Sequence, residues 1–436
     1  MTRSRRDEAN EAQPSKAFAY LPSRTHLGIK FGLETMRALV SALGHPERTY
    51  PTLLVAGTNG KGSVVAYADA VLRRAGLRVG RYTSPHLVRL HERIVVDGRE
   101  ISGRALERAV GRVHDVAEAL VAAGRIRAHP TFFEAVTAAA FEHFRERRVD
   151  VAVVEVGLGG RLDATNVTAP LASAIVSLDY DHQEFLGDTL DAIAHEKAGV
   201  LRRARPAILG PVPQEARLAL EQAARQRRAR LVDALAGTTI VEGARGLRIT
   251  TPTASYTGLR PLAGLHQRTN LVVALRLLEE AKGAGLGFDL QRAAAAVNRA
   301  RWPGRLQTVP GRPPLLLDGA HNPAGARALA VYLHGIGRFV LLFGVMRDKD
   351  ISGIAGALFP LASAVVLTQP RIERAASPSE IRARAGHPSV PVHDEPDAHK
   401  ALVRARALAG RNATVVVAGS LYLVGEVLET LRAPHP

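Results

Sequence analysis

Cysteine is absent from this 436-residue sequence. Disulfides, thiolate zinc sites, iron–sulfur clusters and cysteine nucleophiles are therefore excluded, and any metal must sit on oxygen or imidazole. Long apolar runs are missing too: no window approaches the roughly 18 consecutive apolar residues of a membrane span, and residues 1–16 carry basic side chains with no apolar stretch behind them. Neither an anchor nor a secretory signal is readable, so a cytoplasmic chain with no membrane partner is expected. Aromatic residues make up only 5% of the chain, which weighs against the nucleic-acid partner that a net charge of +17 would otherwise suggest. Stacking aromatics beside a localised basic stripe are lacking, and the arginines are spread among alanines along the whole length. No nucleic-acid partner is expected. Lysine is scarce: seven of the 58 basic residues are lysines, at 16, 30, 61, 197, 282, 349 and 400. In a chain that uses arginine wherever either cation serves, the remaining lysines are enriched at sites that need a compact ammonium or a titratable amine.

What is present is globular. Hydrophobic residues make up 46% of the chain and charged residues 23%, and the length suits about two to four domains. Residues 1–16 read as a disordered tail. From Leu27 an apolar stripe of Ile29, Leu33, Met36, Leu39, Val40 and Leu43 predicts a helix. Short buried strands are predicted at Pro51–Gly57, Val151–Val156, Ala172–Leu178, Leu315–Leu317, Phe339–Phe343, Ala364–Thr368 and Val415–Ala418. Helical stretches alternate with them, which argues for parallel sheets covered on both faces. Between Leu231 and Leu262 short β-prone pieces predict a small antiparallel patch. Glycines and prolines cluster around Trp302–Pro314, placing a domain break near residue 308, with units over 17–307 and 308–436.

The strongest local signal is Gly57-Thr-Asn-Gly-Lys-Gly-Ser63, set between a buried strand and a helix around Ser63–Ala75. Glycines let backbone amides turn toward a phosphate, the helix start adds its positive end, and Lys61 can reach β/γ oxygens. Ser63 either caps the helix or faces magnesium. The spacing differs from the common G-x-x-x-x-G-K-[ST] form, since Gly62 separates Lys61 from Ser63. A carboxylate, Glu155, stands at the end of the 151–156 strand, the sheet edge where open α/β folds bind ligands, and magnesium is its natural partner there. Asp181-His182 follows another strand at the same edge. His195-Glu196 starts no zinc-protease motif, because the position four after His195 is Gly199. Thr131 and Glu134 form a capping box for a helix whose Phe132 and Phe133 either complete an apolar core or line a pocket for a flat ring. Leu317-Asp318-Gly-Ala-His321 repeats the pattern of a strand ending in a carboxylate; Asp318 suits a ribose or magnesium-water contact and His321 a phosphate or nucleoside contact. Ser420 lacks the G-x-S-x-G elbow of a hydrolase and reads as a turn residue.

Taken together, Gly57–Ser63, Tyr82-Thr-Ser-Pro-His-Leu, Glu155–Asn166, Asp181-His182 through Gly187, Glu196-Lys-Ala-Gly199, Gly264–Asn270, Pro303-Gly-Arg305 and Asp318–Pro323 resemble the folylpolyglutamate synthase/dihydrofolate synthase family of the Mur ligase superfamily. Gly28-Ile-Lys-Phe-Gly-Leu also looks like that family, and the motifs run in the family's order from about residue 20 to 425. The resemblance implies a Mur-ligase-like α/β architecture: an N-terminal P-loop-type ATPase domain with a parallel central sheet and a small antiparallel patch, then a C-terminal Rossmann-like α/β domain. It implies an ATP-dependent amide ligase in which a folate carboxylate is phosphorylated and then attacked by the amine of L-glutamate.

Residue by residue, the resemblance assigns Thr58, Asn59, Gly60, Lys61, Gly62, Ser63, Asn270, Arg305, Asp318 and His321 to ATP. Ser84, Glu155, His182 and Lys197 match metal ligands for Mg2+, with two ions expected. Lys197 matches a lysine that the family carbamylates, and Lys61, Lys197 and His182 are the catalytic set. Thr131, Phe132, Phe133, Leu162, Asp163 and Ala164 match the folate-side positions. The implied partners are ATP, L-glutamate, dihydropteroate and reduced folates, and a monomer is expected. The Leu162-Asp-Ala turn looks like bifunctional bacterial members, which add glutamate to both dihydropteroate and folates. A cell-wall Mur ligase is the nearest alternative; its nucleotide-sugar domain has no room before a loop that begins at Gly57.

Overall fold

A computed structural model describes Leu21 and residues 32–432. The tail expected over 1–16, Ile29 of the first apolar stripe and the Gly28–Phe31 part of the early motif lie outside the described residues. The first described helix, Glu34–Ala42, buries Met36, Leu39 and Val40, as the stripe predicts.

The main sheet has eight strands: β1 (Thr52–Ala56), β2 (Val79–Tyr82), β3 (Ile94–Val96), β4 (Arg99–Glu100), β5 (Val151–Glu155), β6 (Ala172–Ile175), β7 (Pro206–Leu209) and β8 (Arg230–Asp233), in the order β4-β3-β2-β5-β1-β6-β7-β8. All neighbours pair in parallel except β3, which is antiparallel to both β2 and β4. β1 and β5 are buried along their whole length, because each is covered on both faces, and a strand in that position must be apolar throughout. One face packs on the helices Gly103–Ala122 and Phe132–Glu146, the other on Lys61–Arg74 and His266–Gly283.

β9 (Thr239–Gly243), β10 (Gly246–Thr250) and β11 (Ser255–Leu259) form the antiparallel patch. It is smaller than the sequence suggests. The stretch beginning at Leu231 belongs to β8, which pairs in parallel with β7; its edge position leaves it half-exposed and erases the apolar run that marks the inner strands.

The third sheet joins β12 (Gln307–Val309), β13 (Leu315–Leu317), β14 (Phe339–Phe343), β15 (Ala364–Leu367), β16 (Val392–Asp394) and β17 (Thr414–Ala418) in the order β12-β13-β17-β14-β15-β16. β12 is antiparallel and the rest are parallel. Two separate apolar clusters cover its faces. The carboxyl ends of β1, β5 and β6 face those of β13 and β14 across a cleft, and open α/β sheets bind ligands at that edge.

Candidate active site

The phosphate loop leaves β1 and enters the helix Lys61–Arg74. Gly57 and Gly60 carry φ of +146° and +84°; a Cβ at Gly57 would press on the backbone of Val176 and Ser177, and one at Gly60 would meet Asn270 Oδ1 at 2.5 Å. The loop is pinned to the end of β6: Thr58 N donates to Ser177 O at 2.9 Å and Asn59 N to Ser177 Oγ at 2.9 Å. Lys61 Nζ donates to the carbonyls of Gly57 and Thr58, both at 3.1 Å, which holds the ammonium over the loop. Gly60 occupies the N-cap position. Ser63, the third residue of the helix, therefore does not cap it; its buried hydroxyl accepts from Gln267 Nε2 at 3.1 Å. Gln267 also accepts from Asn270 Nδ2 at 3.2 Å, joining two expected nucleotide residues through a third residue of the Gly264–Asn270 motif to which no role was assigned.

Glu155 ends β5, and its buried carboxylate accepts from the Ser84 amide at 3.1 Å. Burial raises its pKa, with Lys61 and the Ser84 bond opposing. A buried anion beside a hydroxyl fits a hard cation. His182 is brought alongside in the left-handed conformation, φ 52°. Burial first, with Lys349 and His321 adding to it against Asp181, lowers its pKa to about 4, so the imidazole is neutral. Lys197, at the end of the helix Leu190–Lys197, is 3% exposed. Burial and then the Lys61 charge lower its pKa to about 7. Among the described residues no group of three His, Cys, Asp or Glu side chains could hold a metal.

From the other side of the cleft come Asp318, His321 and Asn322. Asp318 accepts from Leu306 N and Ala320 N, both at 2.9 Å, so its carboxylate fixes the turn that presents His321. His321 Nδ1 lies 2.8 Å from Gly319 O; a carbonyl only accepts, so Nδ1 carries a proton. Nε2 then faces Asp181 at 3.6 Å. Asn322 caps the helix Pro323–Leu333, exchanges paired amide bonds of 3.1 Å with Asn59, and donates to Asp181 Oδ2 at 2.9 Å. Lys349 Nζ reaches Asp181 Oδ1 at 2.6 Å and stands 3.3 Å from His182 Nε2. Burial opposes charge on Asp181, but the bond and charge of His321, and then the Lys349 ammonium, hold its carboxyl well below the usual carboxylate range.

All ten expected nucleotide residues and all four expected metal ligands line one cavity of about 310 Å³. It borders a second, of about 300 Å³, with which it shares walls at Ser84, Pro85, Gly157, Leu158, His182, Leu186, His321 and Leu421. Thr131, Phe133, Leu162, Asp163 and Ala164 line the second cavity. Phe132 does not: its ring packs under the Arg93 guanidinium at 5.2 Å, and it is Arg93 that reaches the cavity. The Thr131–Glu134 capping box is present, and it aims Phe133 inward, so both readings of that helix hold for different residues. Asp163 accepts from Leu158 N at 2.8 Å and Thr165 N at 3.0 Å, which occupies its carboxylate in the turn. Ser420 accepts from Tyr422 N at 3.0 Å, the expected turn role, and also lines the second cavity with Lys349 and Arg374. Asp181 and Asn322 stand inside quoted motifs but were given no role there, and Lys349 and Arg374 lie outside every motif; lysine scarcity was the one signal that could have drawn attention to Lys349.

Residues 304–421 match the family described as Mur ligase, glutamate ligase domain. Over 428 residues the chain is 32% identical to the dihydrofolate synthase/folylpolyglutamate synthase of Bacillus subtilis, covering 95% of this chain and 98% of that protein. The chain belongs to the dihydrofolate synthase/folylpolyglutamate synthase family. It is thereby one of the ATP-dependent ligases that add glutamate. Escherichia coli FolC in complex with DHPP and ADP superposes with a TM-score of 0.85 at 29% identity, covering 95% of this chain and 96% of that one. A bifunctional folylpolyglutamate synthase/dihydrofolate synthase from Yersinia pestis, complexed with AMPPNP and Mn ion, superposes with a TM-score of 0.82 at 32% identity, over 95% and 96% of the two chains.

Proposed function

We propose that the chain uses ATP to join L-glutamate both to dihydropteroate and to reduced folates, through an acyl phosphate. The observation that carries this reading is the adjacency of the two cavities: the one over the phosphate loop shares Ser84, His182 and His321 with a chamber walled by Phe133 and Leu162. A flat ring in that chamber points its carboxylate at the loop.

In this reading Lys61 and the loop amides hold the β/γ phosphates, Asn270 lies against the loop, and Arg305, Asp318 and His321 close on the nucleotide from the second half. Division of the chain near residue 308 belongs to the same reading, supported by a sheet that begins at Gln307. Ser84, Glu155 and His182 would hold magnesium, two ions in all, which supplies charge neutralisation where two anions must meet. Lys197, with its amine poised near neutrality, would carry a carbamate; an arginine could not, being charged at any working pH. The second-half wall, with Arg374 and Ser420, suits the carboxylates of glutamate.

The acceptor carboxylate attacks the γ-phosphorus and ADP leaves. The glutamate amine then attacks the acyl carbon, phosphate departs with one former carboxylate oxygen, and the amine gives up its proton. Dihydropteroate labelled with oxygen-18 in its carboxylate should therefore yield one labelled oxygen in inorganic phosphate for each amide formed. Phosphate without label would rule out the acyl phosphate.

A further inference from the structure

Trp302 is the single tryptophan of the chain, and the functional assignment above leaves it without a role. It lies half-buried in the segment leading from the first half to the second, three residues before Arg305. A Cβ built on Gly62 would stand 2.6 Å from Cε2, Cζ2 and Nε1 of its indole. The ring thus rests directly on the backbone of the phosphate-loop helix, one residue beyond Lys61. The Arg81 guanidinium lies over the same ring, 5.4 Å from its centroid, within reach of a cation–π attraction. Arg81, on β2, extends Nη1 to within 3.5 Å of Oδ2 of the buried Asp69, which also accepts from Arg73 Nε at 3.0 Å. Asp69 and Gly62 share one helix, so the chain of contacts closes on itself: helix, β2, interdomain segment, helix.

Beyond Trp302 the same segment is fixed to the second half. Gly319 N donates to Gly304 O at 2.8 Å, and Leu306 N donates to Asp318 Oδ2 at 2.9 Å. Arg305 crosses Gly319 so closely that a Cβ there would meet its Nη1 at 2.4 Å. A flat, rigid indole with two side-chain torsions therefore rests on Gly62, in the same segment that carries Arg305 three residues on.

We propose that Trp302 is a positioning residue for ATP, which sets the phosphate loop in register with Arg305, and that its emission reports nucleotide on the loop. The inference rests on the nucleotide site described above. Trp302 acts through Gly62 and Arg305 rather than on reacting atoms, and a displacement of even 1 Å in such a site is costly to turnover.

Because the chain has one tryptophan, the intact protein needs no label. ADP with magnesium is titrated while emission is followed, and equilibrium dialysis of radiolabelled ADP measures binding independently. The emission should shift with the same midpoint as the dialysis isotherm. Binding that leaves the emission unmoved overturns the role of Trp302 and leaves the assigned function standing; no binding by dialysis overturns the nucleotide site and this inference with it. In turnover, Trp302→Leu should raise the KM for ATP by about tenfold or more and leave the KM for glutamate unmoved, while Trp302→Phe stays within about threefold of the parent. Arg81→Met should shift the same parameter in the same direction. A folded Trp302→Leu variant with an unaltered KM for ATP contradicts the proposal, and should it fail to fold, the titration of the parent chain decides.

Discussion

Lys197 and Lys349 show what side-chain chemistry can be read before any fold is known. Both are among the seven lysines of an arginine-rich chain, and both are buried in the cleft. Lys197 was legible because Glu196-Lys-Ala-Gly199 has a family pattern around it. Lys349 was not, since its partner Asp181 lies 168 residues away, and no local spacing encodes a contact made by domain apposition. Lys197 also yields a pH prediction. Carbamylation consumes the neutral amine and releases a proton, and burial sets the amine's pKa at about 7. Occupancy should therefore rise as pH increases through 7 and fall away below it. With carbon-13 bicarbonate, a carbamate carbonyl resonance should appear at pH 8, fade by pH 6, and be absent from Lys197→Ala. A resonance that persists unchanged at pH 6, or none at pH 8, would contradict the assignment. His182, with its pKa pushed down to about 4, stays neutral throughout that range and adds no transition of its own.

At the scale of elements, the sequence exposes unbroken apolar runs and conceals strands that a glycine, a charge or an edge position interrupts. β1, β5, β14 and β17 are near-continuous apolar runs and are found within a residue of their expected bounds. β2, Val79-Gly-Arg-Tyr, escaped notice because its glycine makes room for Phe144, whose ring would lie 2.9 Å from a Cβ at Gly80, and because its arginine is taken up by Asp69. β8 was misplaced for the related reason that an edge strand need not be apolar. The helix Phe132–Glu146 shows local and tertiary signals in agreement: its capping box, with Thr131 N donating to Glu134 Oε2 at 2.8 Å, fixes the turn from which Phe133 enters the cavity. Thr131→Ala should cost about 1 kcal/mol of stability in denaturant unfolding. It should also raise the KM for the folate acceptor and leave that for ATP alone. Undiminished stability would show that the cap contributes nothing.

Over the whole molecule, the site exists only where the two halves meet. The Asn59–Asn322 pair, the Arg327–Asp179 ion pair at 3.1 Å and the buried Lys349–Asp181 pair at 2.6 Å cross that junction. The last has side-chain exposures of 5% and 8%, so removing its cation leaves a carboxylate without full compensation in a dry setting. Lys349→Met should therefore loosen the junction, seen as a larger radius of gyration in X-ray scattering, and lower kcat/KM by about tenfold or more. Unchanged scattering with unchanged turnover would contradict a role for this pair in closure. Family motifs located both walls of the cleft in advance. Which residues bridge it had to come from the fold, because a bridge is a relation between distant segments and carries no pattern in either one.

The most direct test of the account is glutamate-dependent release of ADP in the presence of magnesium, with 7,8-dihydropteroate and tetrahydrofolate compared as acceptors. The account predicts release with each acceptor, strictly dependent on glutamate and matched by one amide per ADP. A folded protein that binds ATP and releases no ADP with either acceptor would contradict the proposed function, and turnover with one alone would contradict its bifunctional form.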